Sequence, residues 1–96
     1  MDKTIKQKCI DALRKTKTKQ SFGYFYDSRN ESFCALGVIG VEVLGLKAED
    51  RLWASKILDG LGGQEGLETY KSIREWNDYD KLSFKQIARK LQKLDF

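Results

Sequence analysis

Ninety-six residues, 41% of them hydrophobic, allow one core and one domain over residues 1–96, and they argue against a disordered chain. With no histidine and only Cys9 and Cys34 as thiols, the usual Cys/His zinc sets are excluded, and no apolar run approaches the ~20 residues of a membrane span. The net charge of +4 is two basic ends around an acidic middle: residues 1–31 carry eight Lys/Arg and four Asp/Glu, residues 32–80 carry five and nine, and residues 81–96 carry five and one.

Residues 3–16 predict a helix. Ile5, Cys9, Ala12 and Leu13 fall at i, i+4, i+7 and i+8, and Ile10 widens that stripe. Asp11 and Lys15 stand four apart on the outer side, an expected ion pair. Polar, basic residues 16–21 follow as a loop. Phe22, Tyr24 and Tyr26 then alternate with Gly23 and Phe25, which is strand chemistry, and Asp27-Ser28-Arg29-Asn30 reads as a turn. No second strand is evident, so residues 22–27 are expected as one short extended or hairpin segment.

Ser32 is the expected N-cap of an apolar run over 33–44, and the length of that run favours a buried helix. Gly45 would stop it. Gly37 and Gly40 each weaken a helix by about 1 kcal/mol relative to Ala, a cost accepted where another element packs close. Residues 48–59 predict a third helix with Leu52, Trp53, Ile57 and Leu58 inward, ended by Gly60-Leu61-Gly62-Gly63. Residues 61–66 lack the Gly-Lys-Ser/Thr of a phosphate loop and read as a flexible connection. Leu67, Tyr70, Ile73 and Trp76 mark a fourth helix over 65–76, which Trp76-Asn77-Asp78-Tyr79-Asp80 would break. Residues 83–94 carry the strongest helical pattern. Ser83 and Gln86 make a capping box, and Phe84, Ile87, Ala88, Leu91 and Leu94 form an unbroken stripe. The fold class expected is mainly α, a single small domain of four to five helices.

The segments Phe33-Cys34-Ala35-Leu36-Gly37-Val38 and Trp76-Asn77-Asp78, with Ser83-Phe84-Lys85-Gln86-Ile87, resemble a group of short proteins of bacteriophages and some bacteria. Their pattern is Phe-Cys-(Cys/Ala)-Leu-Gly-Val, a variable middle, then Asn-Asp, a short spacer and Ser-Phe-x-(Glu/Gln)-Ile. The resemblance covers about a third of the chain, between positions 32 and 94. Many members carry a second Cys where Ala35 stands here, which weakens any metal or redox use of a Cys pair. The resemblance implies a phage or mobile-element setting and a helical domain, and it brings no activity with it.

Four constellations bear on function. Cys34 opens the apolar helix, where the dipole can lower a thiol pKa, but without a histidine base it reads as a core thiol before a nucleophile. Trp76, Asn77 and Asp78 form either a rigid corner or a partner contact with Trp76 as a stacking surface. Glu75, Asp78 and Asp80 do not have the spacing of a calcium loop, and neither metal nor cofactor is expected. Glu42, the one charge in an apolar run, would reach solvent or pair with an arginine. Lys15, Lys17, Lys19 and Arg29 surround Phe22, Tyr24, Phe25 and Tyr26, while Lys85, Arg89 and Lys90, with Lys81 and Lys93, extend the charge; basic residues interleaved with aromatics suit single-stranded nucleic acid.

The function expected is a small non-catalytic interaction protein, phage-encoded by resemblance, that binds and modulates a host or phage protein complex. The alternatives are a nucleic-acid-binding module using the basic ends, a nucleotide-sequestering protein, and a small Cys34-dependent enzyme. Two unpaired thiols and a polar stretch from Met1 to Lys19, without a secretory pattern, make the expected setting cytoplasmic.

Overall fold

The computed structural model describes residues 3–47 and 49–94. Its elements run α1 (Lys3–Lys15), β1 (Lys19–Gln20), β2 (Tyr26–Asp27), β3 (Ser32–Phe33), α2 (Ala35–Glu42), α3 (Trp53–Gly60), a 3₁₀ turn (Gly63–Gly66), α4 (Leu67–Asp78) and α5 (Phe84–Lys93). Among the described residues the fold is mainly α, with five α-helices and a small three-stranded sheet. α1 packs chiefly on α5 and also on α2, while α2 packs on α3 and α4. One core unites them: Cys9, Ile10 and Leu13 of α1, Leu36 and Ile39 of α2, Ile57 of α3, Ile73 of α4, and Ile87 and Leu91 of α5. The outer helices follow their stripes. On α5 Phe84, Ile87, Ala88 and Leu91 are buried, Leu94 is half-buried, and the Ser83–Gln86 capping box is formed in both directions. On α1 Asp11 accepts a hydrogen bond from the Gln7 side chain at 2.9 Å in place of the expected pairing with Lys15.

The sheet departs from expectation. Residues 22–25 lie outside any strand, and the extended segment is Tyr26–Asp27 alone. It pairs antiparallel with Ser32–Phe33, in register Tyr26 with Phe33 and Asp27 with Ser32; β1 joins the other edge of β3 in parallel. Asp27 makes the intervening turn as its residue type predicts, accepting from the Arg29 N–H and the Asn30 side chain, and those bonds hold its carboxyl below the usual range. Because Ser32 is spent on the sheet, it does not cap α2. Cys34 does: its backbone is extended (φ −79°, ψ 174°) and its Sγ accepts from the Gly37 N–H at 3.3 Å.

Three further corrections concern helix ends. α3 begins at Trp53, not near residue 48, because Leu52 sits in the left-handed region (φ 59°) and turns its side chain outward, 74% exposed. Ala48 lies outside the described residues. The glycine-rich segment folds as a 3₁₀ turn that runs straight into α4. Trp76-Asn77-Asp78 is the last turn of α4, and the break falls after it, at Tyr79–Leu82, where Lys81 is left-handed (φ 57°). Gly37 shows why a glycine belongs in α2. A Cβ there would stand 2.0 Å from the Phe25 carbonyl oxygen, so the first turn of α2 rests directly on that backbone.

Candidate functional site

α4 presents two stripes at four-residue spacing, offset by one residue, or about 100° of helical rotation. Thr69, Ile73 and Asn77 are buried. Tyr70, Arg74 and Asp78 line a pocket whose other walls are Gly23, Tyr24 and Phe25, Cys34 and Leu36 at the start of α2, and Ala54 of α3; its volume is about 270 Å³. A second cleft of about 440 Å³ shares Gly23, Tyr24 and Phe25 and continues over Tyr26, Asp50 and Trp53. Segment 23–25 is therefore the partition between two concave surfaces. Phe25 is held there by stacking on Trp53, with ring centroids 5.9 Å apart.

Asn77 builds this site without lining it. Its Oδ1 accepts from the Ala35 N–H (3.0 Å) and from Gln20 Nε2 (2.8 Å), and its Nδ2 donates to the Ser21 carbonyl (2.9 Å) and to Asp78 Oδ1 (2.7 Å). One carboxamide thus satisfies an orphan donor at the start of α2, the backbone before the pocket wall, and the neighbouring carboxylate. Asp78 Oδ1 also accepts from the Gly23 N–H at 2.9 Å, pinning the wall to α4. Gln20 completes the tie by donating to the Leu82 carbonyl at 2.7 Å.

The chemistry of the pocket is mixed. Among the described residues Arg74 makes no hydrogen bond or ion pair, and Asp78 Oδ2 makes no hydrogen bond. Burial pushes the Tyr70 hydroxyl up from its usual range, so it remains a donor. Burial pushes the Cys34 thiol up to about 11, with the Asp78 charge adding to the rise and the Gly37 hydrogen bond opposing it. At this N-terminal position on α2, desolvation outweighs the hydrogen bond from the Gly37 N–H that would favour the thiolate. Cys9 is buried in α1 and pushed up to about 12.

No family model matches this chain. No curated protein and no solved structure matches it either.

Of the residues singled out in the sequence, Tyr24 and Asp78 meet at the pocket, Asn77 stands behind it, and Tyr26 lies on the adjoining cleft with its ring 4.8 Å from that of Phe33. The others lie elsewhere. Trp76 is half-buried beneath Lys90, whose Nζ is 5.7 Å from the ring centroid. Arg29 is exposed in the hairpin turn. Glu42 reaches solvent at the end of α2, in a shallow groove with Lys8, Asp11 and Lys15. Lys15, Lys17, Lys19, Lys85, Arg89 and Lys90 are all exposed. Among the described residues no three His, Cys, Asp or Glu side chains gather as a metal site would need, and no helix is long and apolar enough to cross a membrane. Sequence reasoning missed Tyr70 and Arg74 as site residues. The available signal was their spacing to Asp78, four residues at each step, which puts all three on one helical face.

Proposed function

We propose that this chain is a small non-catalytic interaction protein that binds a protein partner across the pocket between segment 23–25 and α4. The observation that supports it most is Tyr24, an aromatic side chain 63% exposed at the rim of a partly apolar concavity. Exposed tyrosines beside a pocket are the usual anchors of protein interfaces, because they offer a large rigid contact area with a polar tip. Phe22, held under Lys81 at 4.5 Å, is a further exposed aromatic on the same segment. The raised thiol supports binding over catalysis: with a pKa of about 11, roughly one Cys34 in 10⁴ is thiolate at pH 7. A phage-encoded modulator of a host complex, acting in the cytoplasm, is the setting that the motif resemblance adds.

The test is capture from nuclease-treated bacterial lysate on the immobilised protein and on its Tyr24→Ala variant. A partner retained by the first and lost from the second is the expected result. Equal capture by both would refute the proposed surface.

One observation favours nucleic acid as a second reading. The packing of α1 on α5 sets the basic ends of the chain side by side, with Lys15, Lys85, Arg89 and Lys90 exposed on that pair of helices and Lys17 and Lys19 exposed just beyond α1. Each phosphate neutralised contributes about −0.7 to −0.9 to the log–log salt slope of binding. Changing Lys15, Lys17, Lys19, Lys85 and Lys90 to Gln should then reduce the slope by about three to five units. Binding below micromolar at ~0.15 M salt would put nucleic acid first, since non-specific attraction gives only ~10⁻⁴–10⁻⁶ M.

A further inference from the structure

We propose that the pocket receives the C-terminal residue of the partner protein, its apolar side chain inside and its α-carboxylate on Arg74. This rests on the protein-partner reading above and gives that surface a ligand chemistry. The volume of about 270 Å³ falls below the ~300–1,000 Å³ of sites for drug-sized ligands, and it suits one large side chain. Phe25, Leu36 and Ala54 make apolar walls, which a charged side chain would enter only at a desolvation cost. Yet the Arg74 guanidinium, which makes no hydrogen bond or ion pair among the described residues, lines the same space, and its planar fork fits a carboxylate. An aspartate or glutamate would bring the carboxylate without the apolar body. A chain's last residue brings both.

The remaining groups fit the same ligand. The Tyr70 hydroxyl is a second donor for the carboxylate, and Asp78 Oδ2 is an open acceptor for the peptide N–H of that last residue. Gly23, left-handed at φ 89°, stands on the partition between the two concavities, and a Cβ there would meet nothing within 4 Å beyond its chain neighbours. The adjoining cleft over Tyr26 and Trp53 would then hold the residues before the terminus in an extended form. A free amino acid shares the carboxylate and the side chain but carries an ammonium instead of a peptide N–H, and the experiment separates the two.

The measurement is an amide-resolved NMR titration of the full chain. The probes are N-acetylated tetrapeptides ending in leucine or phenylalanine, as free acids and as C-terminal amides, alongside free leucine and phenylalanine. The acids should shift the signals of Gly23, Tyr24, Arg74 and Asp78. The amides should bind about tenfold more weakly or worse, since a hydrogen bond to a charged group is lost. Arg74→Gln alters an exposed side chain, and in this variant most of the preference for acid over amide should be lost. Equal binding of acid and amide by the unaltered protein would overturn the inference. So would shifts confined to other surfaces, no shifts at several millimolar, or tighter binding of the free amino acid than of the acetylated peptide. If lysate capture is lost on Tyr24→Ala while acids and amides bind equally, the terminus is wrong and the partner surface stands. If capture is unaffected by Tyr24→Ala, the surface itself is wrong.

Discussion

Replacing Asn77 with Ala would remove four hydrogen bonds at once, and the partners differ in what they lose. The Ala35 N–H and the Ser21 carbonyl belong to buried residues, and each would lose its partner in the interior. Gln20 and Asp78 are half-buried and keep other bonds, to the Leu82 carbonyl and the Gly23 N–H. Each buried orphan costs about 1–3 kcal/mol, while the two half-buried losses add little, so Asn77→Ala should destabilise by about 2–6 kcal/mol. For a domain whose whole stability is of order 5–10 kcal/mol, that is a large fraction. Urea unfolding followed by tryptophan fluorescence gives the difference, with the slope checked for two-state behaviour. Asn77→Asp sharpens the test, because it preserves both accepting bonds and loses both donating ones beside the Asp78 carboxylate. It too should cost more than a surface change. A loss below about 1 kcal/mol for Asn77→Ala, less than one buried orphan, would refute the tie between α2, α4 and segment 20–23.

Leu91 is fully buried in the common core, so Leu91→Ala should cost about 2–5 kcal/mol in the same unfolding assay, and a loss under about 1 kcal/mol would reject its place there. Cys34 has a folded pKa above its unfolded value of 9.0, so the stability it contributes is complete below pH 9 and is lost as pH rises toward about 11, because the unfolded chain gives up its proton first. The fall in unfolding free energy between pH 8 and pH 10.5 should therefore be smaller in Cys34→Ala than in the unaltered chain. Identical falls would mean that the thiol is not desolvated.

α1 and α5 are legible because their apolar periodicity extends over ten residues or more, long enough for a 3.6-residue period to stand out. The sheet was not legible. Its strands are two residues each, too short for alternation to register, and Ser32-Phe33 could equally be read as the opening of the apolar run that follows. The cap of α2 was misplaced for the same reason: serine is a common cap and cysteine an uncommon one, and only the pairing of Ser32 with Asp27 and Lys19 moves the boundary on by two residues. Asparagine usually satisfies nearby backbone, so the residue type of Asn77 points to a turn. Three of its partners here are more than forty residues away, which no local pattern encodes. The residue type of Leu52 points inward, but its left-handed backbone turns it out.

The two stripes of α4 make this helix intolerant of a change in length. One residue inserted between Tyr70 and Ile73 would turn everything after it by about 100°. Arg74 would then lose its place beside Tyr70, and the Asn77 carboxamide would swing away from the start of α2. A replacement of similar size can be absorbed locally, but a shift in count moves the core anchor and the pocket wall together. Lengthening is better accommodated in the 28–31 hairpin turn, whose side chains are exposed and contribute to neither stripe.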